Sequence, residues 1–129
     1  MTDNRMAMAG WVLSGLFALF MLGASVLPKL TGMPVAADTM TALGWENSPV
    51  MLIGMIELVC TLLYIFPRTA YLGAVLMMAV LGGAIATQLR AGSPLVSHTL
   101  FGVYLGLAMW GGLWLRDPVF RSLFPFRRG

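Results

Sequence analysis

The sequence has few charged residues for its length. Only 10% of the 129 residues are charged and 59% are hydrophobic, whereas ordinary soluble proteins carry roughly 25% charged residues. These residues cannot supply the polar surface that a soluble domain of this size needs, so a soluble globular fold is excluded. The modest net charge of +3 favours an anionic membrane surface over nucleic acid as a partner.

Cysteine and histidine are rarer still, with one residue of each, Cys60 and His98. A single cysteine allows neither an intrachain disulfide nor a Cys-x-x-Cys redox pair. One histidine without a cysteine pair does not complete a four-ligand metal site, so we expect no bound metal. Catalytic triads, phosphate-binding loops and nucleotide fingerprints are absent too, and no residue is identified as catalytic.

Long apolar runs are what the sequence has instead, at residues 6–28, 48–66, 69–89 and 96–115. About 20 apolar residues in a helix span the hydrocarbon of a bilayer. The pattern predicts an all-α fold, a four-transmembrane-helix bundle, in a single integral membrane domain over residues 1–129. The first run is longer than the apolar core of a signal peptide, so we expect it to be retained.

The longest connection, residues 28–48, contains its own helix signals. Pro34 is typical of a helix start and Gly44 of a helix end. The apolar residues between them that would share one face are Ala36, Met40 and Leu43. We predict a short interfacial or re-entrant helix here, with an irregular loop as the alternative.

Small and polar residues recur at helical spacing and predict which faces pack against neighbouring helices. They are Ser14, Ala18, Ser25 and Lys29 in the first span; Gly54, Glu57, Thr61 and Tyr64 in the second; Ala79, Gly83 and Ala86 in the third; and His98, Gly102, Gly106 and Met109 in the fourth. Pro28 is expected to end or bend the first helix just before Lys29.

Lysine and arginine residues predict the orientation. Four spans place both termini on one side, together with six basic residues: Arg5, Arg68, Arg116, Arg121, Arg127 and Arg128. The other side has two, Lys29 and Arg90. By the positive-inside rule we expect cytoplasmic termini in a bacterial inner membrane.

Glu57, at the middle of the second span, is the main chemical feature. A charge at mid-depth costs roughly 2.5–3.5 kcal/mol on insertion scales, so this group should have a partner. Helix side chains lean towards the N-terminus, which directs Lys29 and Arg90 towards Glu57. By helix rise we expect an axial gap of ~15 Å from the helix end to Glu57. The two side chains would cover much of this gap, and a water or a polar ligand would fill the rest.

The candidate ligand-binding residues form a predicted pocket in the outer half of the bundle. They are Lys29, Glu57, Gln88, Arg90, His98 and Tyr64. All but Gln88 have a structural alternative. Glu57 would hold the bundle together as a neutral or paired carboxyl, Lys29 and Arg90 would anchor helix ends, His98 would be structural or solvated and Tyr64 would pack.

Three runs of the sequence resemble the DoxX-like family of small bacterial membrane proteins: residues 66–76, 81–90 and 110–118. Lys29 and Glu57 match the family pattern, whereas Gln88 stands where the family often has histidine. The resemblance covers about residues 10 to 125. It implies an association with thiosulfate-to-quinone oxidation and with membrane-tethered redox complexes.

The leading hypothesis is a binding or accessory subunit of a quinone-linked membrane redox system. Its pocket would accept a quinone or a lipid, and it would contact a redox partner protein. One alternative is a proton-coupled exporter of small cations that acts as a homodimer, since small multidrug transporters also have four spans and a central glutamate. The other is a purely structural membrane partner, for which a dry interior with a salt-bridged Glu57 is expected.

Overall fold

A computed structural model of the chain describes residues 2–127, with side chains from Asn4 onwards. Met1, Gly129 and the predicted cytoplasmic Arg128 lie outside the described residues. All regular elements in residues 2–127 are helical, which confirms the all-α prediction. The α-helices are α1 (Thr2–Phe20), α2 (Leu27–Leu30), α3 (Pro34–Ala42), α4 (Val50–Ile65), α5 (Ala70–Ala91), α6 (Phe101–Arg116) and α7 (Pro118–Leu123). A π-helical turn, Met21–Val26, joins α1 to α2, and a second, Leu95–Thr99, precedes α6.

Three helical segments are long and apolar enough to cross a membrane: Asn4–Leu30, Pro67–Ala91 and Leu95–Arg116. The remaining predicted span corresponds to α4, which is apolar but has only 16 residues. Large apolar side chains point outwards from these helices; Leu19 and Leu107 are each 68% exposed. An apolar surface of this extent is suited to contact with lipid and not with water. The chain is therefore an integral membrane bundle of helices.

The four long helical segments contact one another in a ring. α1 packs on α6, α6 on α5, and α5 on α4, while α4 closes the ring against α2 and the first π-helical turn. The 3₁₀ turn Pro67–Thr69 connects α4 to α5, and the short link makes them antiparallel neighbours. We call the end with Leu30 and Ala91 the outer end, and the end with Arg116 the inner end.

Most of the predicted packing faces are confirmed. The predicted residues of the second span are all buried, and so are Gly102, Gly106 and Met109 in the fourth. In the third span the prediction was wrong. The predicted residues Ala79, Gly83 and Ala86 are exposed, and α5 instead buries Ala70, Gly73, Ala74, Met77 and Leu81.

The reason lies in the turn between α4 and α5. A Cβ atom added to Gly73 would lie 2.3 Å from the backbone nitrogen of Tyr64, so the two helices touch near the inner end. An atom added to Gly82 or Gly83 would meet nothing within 4 Å. The small residues towards the outer end therefore lie beside open space rather than against a neighbouring helix.

Pro28 was predicted to end or bend the first helix, and it does not end it, since the helix continues to Leu30. Proline lacks an N–H group, and its ring clashes with the carbonyl four residues earlier in a regular α-helix. The π-helical turn Met21–Val26 directly precedes α2. A wider turn of this kind interrupts the regular α-helical hydrogen bonding just before the proline, so that the helix continues past it. Lys29 consequently lies inside the helix instead of after it.

The short helix predicted in the first loop is present as α3. Gly44, just after it, has a φ of +87°, the left-handed conformation that glycine adopts without strain. The residues of its predicted apolar face, Ala36, Met40 and Leu43, are partly buried, whereas most of the helix is exposed. Its depth in the membrane stays a prediction.

The last helix, α7, was not predicted from the sequence. Asp117 caps it, because the carboxylate accepts hydrogen bonds from the backbone nitrogens of Val119 (2.9 Å) and Phe120 (3.3 Å). Pro118 occupies the first helical turn. An aspartate followed by a proline is a recognised helix-start signal, so the pattern was present in the sequence.

Candidate functional site

Glu57 forms a direct ion pair with Lys29. The carboxylate lies on the inward face of α4 and is 5% exposed. Its Oε1 atom accepts a hydrogen bond of 2.9 Å from Lys29 Nζ. Because both side chains are largely buried, each supplies the charge that the other requires in an apolar environment.

Ser25 joins the same pair, and the sequence analysis did not name it as a site residue. Its Oγ atom accepts from Lys29 Nζ at 2.7 Å and donates to Glu57 Oε1 at 2.8 Å. The three groups thus form a closed triangle of hydrogen bonds. The signal was its spacing, since Ser25 lies four residues before Lys29 and shares its helix face.

The prediction of an axial gap of ~15 Å from the helix end to Glu57, only partly covered by the side chains, was wrong, because Lys29 and Glu57 are in direct contact. That estimate placed Lys29 beyond the helix end and started the second span at residue 48. In the structure Lys29 lies within the last turn of the first helix, and α4 starts at Val50. Glu57 is therefore only about two helical turns from the outer end of α4, within reach of the lysine.

Two cavities of about 300 Å³ each meet at this ion pair. Both are lined by Lys29, Glu57, Ala84 and Gln88. The first lies between α4 and α5 beneath α3, and its other lining residues include Met40, Leu43, Trp45, Ile56, Ala79 and Gly83. The second lies between α1, α5 and α6, and includes Phe20, Ser25, His98, Thr99 and Phe101.

Gln88 has hydrogen-bonding capacity that the described part of the chain leaves unused. Its side-chain oxygen is buried without a partner. Among residues 4–127 no group accepts a hydrogen bond from its amide nitrogen either. Buried polar groups are normally paired, so an amide with free capacity beside a cavity is a feature that a ligand can use.

Arg90 and His98 do not reach the ion pair. Arg90 lines neither cavity; its Nη2 atom donates to the carbonyl of Leu43 at 3.2 Å and so ties the end of α3 to the last turn of α5. His98 is exposed and lies at the edge of the second cavity, with Nδ1 2.7 Å from the hydroxyl of Ser97. Of the six predicted residues, the structure brings together Lys29, Glu57 and Gln88.

Tyr64 belongs to a separate polar cluster towards the inner end. It is fully buried, and its hydroxyl donates to the carbonyl of Met109 while the Ser14 hydroxyl lies 2.9 Å away. Arg116 Nη2 donates to the carbonyl of Tyr64 at 2.6 Å, and its guanidinium lies 4.2 Å from the Trp11 ring. This cluster links α1, α4 and α6, so Tyr64 has the packing position that was its alternative interpretation.

A family model described as the DoxX-like family matches residues 12–112. The chain belongs to the DoxX-like family. No curated protein and no solved structure matches it. The match to the DoxX-like family includes the three residues of the hydrogen-bonded triangle and the lining residues of both cavities. It ends before α7.

Proposed function

We propose that this DoxX-like protein is a binding or accessory subunit of a quinone-linked membrane redox system. In this proposal the cavities hold the head group of a quinone or of a similar neutral, amphipathic lipid. The observation that carries the proposal is the meeting of two cavities at one buried ion pair, beside the Gln88 side-chain oxygen, which has no hydrogen-bond partner among the described residues.

The chemistry of the lining supports such a ligand. Small-molecule sites are mostly apolar cavities of roughly 300–1,000 Å³ with a few converging polar groups. Lys29 has three N–H donors, two of which go to Ser25 and Glu57. The third, together with the N–H groups of Gln88, is available to the carbonyl oxygens of a quinone head, whereas the Gln88 oxygen would accept only from a hydroxyl such as that of the reduced head.

The charge of the site favours a neutral ligand over a cation. Lys29 and Glu57 are the charged residues that line the first cavity, and they are in contact with each other. A cationic substrate would have to displace Lys29 from the carboxylate, whereas a neutral carbonyl compound leaves the pair intact. This argument favours the binding hypothesis over the cation exporter.

The proposal includes the topology. We propose that α4 also crosses the membrane, which gives four crossings, and that both termini face the cytoplasm of a bacterium. Two observations support this. α4 runs antiparallel to α5 along the ring, and the inner end has the larger share of arginine residues.

Ligand-dependent stabilisation tests the proposed function. Purified protein in detergent is heated with a ubiquinone analogue that has a ten-carbon tail, and the shift in Tm is measured at constant detergent concentration. We expect the wild type to be stabilised and Glu57→Gln to lose most of the shift, because the substitution removes the negative charge that holds Lys29 in place beside Ser25. Asp38→Asn, on the exposed surface of α3, is the matched control and should behave like the wild type.

A purely structural role makes a different prediction. The direct ion pair favours a structural role, because that role requires a salt-bridged Glu57. Glu57→Gln would then lower the Tm without ligand, and the wild type would show no shift with quinone or with added phospholipid. That result would contradict a binding function.

A further inference from the structure

We infer that the ligand has an apolar tail, which leaves the first cavity sideways through a slot between α4 and α5. The slot is formed by Ile56, Ala79 and Gly83. This inference rests on the proposed function and adds the ligand class: a head group that carries a long hydrocarbon chain, taken up from within the bilayer.

The first cavity is covered at its outer end. Met40 and Leu43 line it from α3, and Trp45 follows directly after. The bond from Arg90 to the carbonyl of Leu43 holds this cover against α5. A ligand that entered the first cavity directly through this outer cover would have to move α3 and break that bond.

The side of the same cavity is open. Ile56 is 43% exposed, and Ala79 and Gly83 are exposed as well, although all three line the cavity. An exposed wall residue marks an opening where no other segment lies over it, and an atom added to Gly83 meets nothing within 4 Å. Trp45 is 42% exposed as well, but it belongs to the segment after α3 that forms the cover. The opening therefore faces away from the bundle, towards the surface that lipid covers.

The depth of the slot places it in hydrocarbon. Gly83 lies eight residues before the outer end of α5 at Ala91, which is ~12 Å by helix rise, and Ala79 lies ~18 Å from that end. The hydrocarbon core is ~30 Å thick. An apolar tail that passes through the slot would thus continue among lipid chains, while a polar head stays at the ion pair.

The second cavity is bordered by aromatic side chains instead of small ones. Phe20, the last residue of α1, and Phe101, the first of α6, line this cavity. Their rings contact each other at a centroid distance of 5.6 Å. This aromatic pair bridges α1 and α6, whereas the small residues at the slot leave α4 and α5 unbridged.

Adjacent glycines give a matched test. A Cβ atom added to Gly83 or to Gly82 meets nothing within 4 Å, so both positions accept a side chain without disturbing the fold. Gly83 lines the cavity and Gly82 does not. Gly83→Leu should obstruct the slot, and Gly82→Leu adds the same side chain to the same helix outside it.

The Kd values of two quinones are measured for the wild type and both variants, at one fixed detergent concentration. One quinone is the ten-carbon-tailed ubiquinone analogue and the other is the same dimethoxy-methyl-benzoquinone head without a tail. We expect Gly83→Leu to weaken the tailed compound about tenfold, since overpacking at an occupied site has an effect of this order. Its effect on the tail-less head should stay within about twofold, and Gly82→Leu should leave both Kd values within about twofold.

The outcomes separate the two levels of the proposal. If the wild type binds neither quinone, the proposed function fails and this inference fails with it. If the wild type binds, but Gly83→Leu weakens both quinones equally or neither of them, the tail slot is overturned and the binding site stands. Ala79→Leu, one turn earlier in the slot, provides the same measurement if Gly83→Leu does not fold.

Discussion

The glycine residues of α5 have very different surroundings, and the effect of each on the stability of the protein can be measured. At Gly73 an added Cβ would lie 2.3 Å from a backbone atom of Tyr64, and backbone cannot move aside as a flexible side chain can. Gly73→Ala is expected to lower the free energy of unfolding by about 1–3 kcal/mol, the usual cost of overpacking. Unfolding in mixed detergent micelles measures it.

Gly82→Ala is the control for that prediction. The added methyl group meets nothing within 4 Å, and alanine is the better helix former by about 1 kcal/mol. The stability should stay the same or rise by up to about that amount. Equal destabilisation by both substitutions would show that α5 does not approach α4 at Gly73 as described.

At the residue scale, the sequence identified the ion-pair residues but not their arrangement. An acid in an apolar run requires a partner, so Glu57 and Lys29 could be recognised from chemistry alone. Ser25 completes the triangle only because the π-helical turn and Pro28 set the position of Lys29. The spacing of Ser25 and Lys29 places them on one helix face, whereas the local geometry that closes the triangle depends on tertiary packing.

α3 covers the first cavity, and the hydrogen bond from Arg90 to the carbonyl of Leu43 connects it to α5. Arg90→Gln removes the charged donor to the carbonyl of Leu43. This bond lies at an exposed site, so we expect a loss of only about 1 kcal/mol, which corresponds to about fivefold faster amide exchange in α3. Hydrogen exchange of a peptide over residues 34–45 measures it, with α6 as the internal reference.

Unchanged exchange in α3 would mean that contacts of Met40 and Leu43 alone hold the cover. Those side chains line the cavity from the apolar face of α3. A general increase that includes α6 would instead indicate a global loss of stability, and a role for Arg90 in holding α3 would then be contradicted.

Helices with periodic patterns could be predicted, and irregular junctions could not. α3 was recognised because proline and glycine delimit it and because its apolar residues share one face. α7 was missed although Asp117 and Pro118 signal its start, because the following residues were interpreted as a basic tail. The exposed small residues of α5 were misassigned, since small residues indicate close packing only where a neighbouring helix is near.

The whole bundle has a distinct inner and outer end, and the proposed orientation makes a labelling prediction. Thr41 on α3 and Asn4 on α1 are exposed at opposite ends. In intact bacterial cells a membrane-impermeant thiol reagent should label Thr41→Cys and leave Asn4→Cys unlabelled, and both should be labelled after lysis. The natural Cys60 is 2% exposed, so the wild type provides the background.

Labelling of Asn4→Cys in intact cells, with Thr41→Cys protected, would show the reverse orientation. Labelling of both variants would show that the two ends lie on the same side, which is incompatible with a bundle that crosses the bilayer. The distribution of arginine residues predicts the first pattern, because basic residues are retained on the cytoplasmic side.

The unequal lengths of the helices have a consequence for the surrounding lipid. α4 has 16 residues and α5 has 22, which correspond to ~24 Å and ~33 Å by helix rise. A bilayer adapts to a short apolar segment by thinning locally, at a modest cost per ångström of mismatch. The lipid beside α4 is thus expected to be thinner and less ordered than the lipid around the rest of the protein, and this thinned region borders the slot.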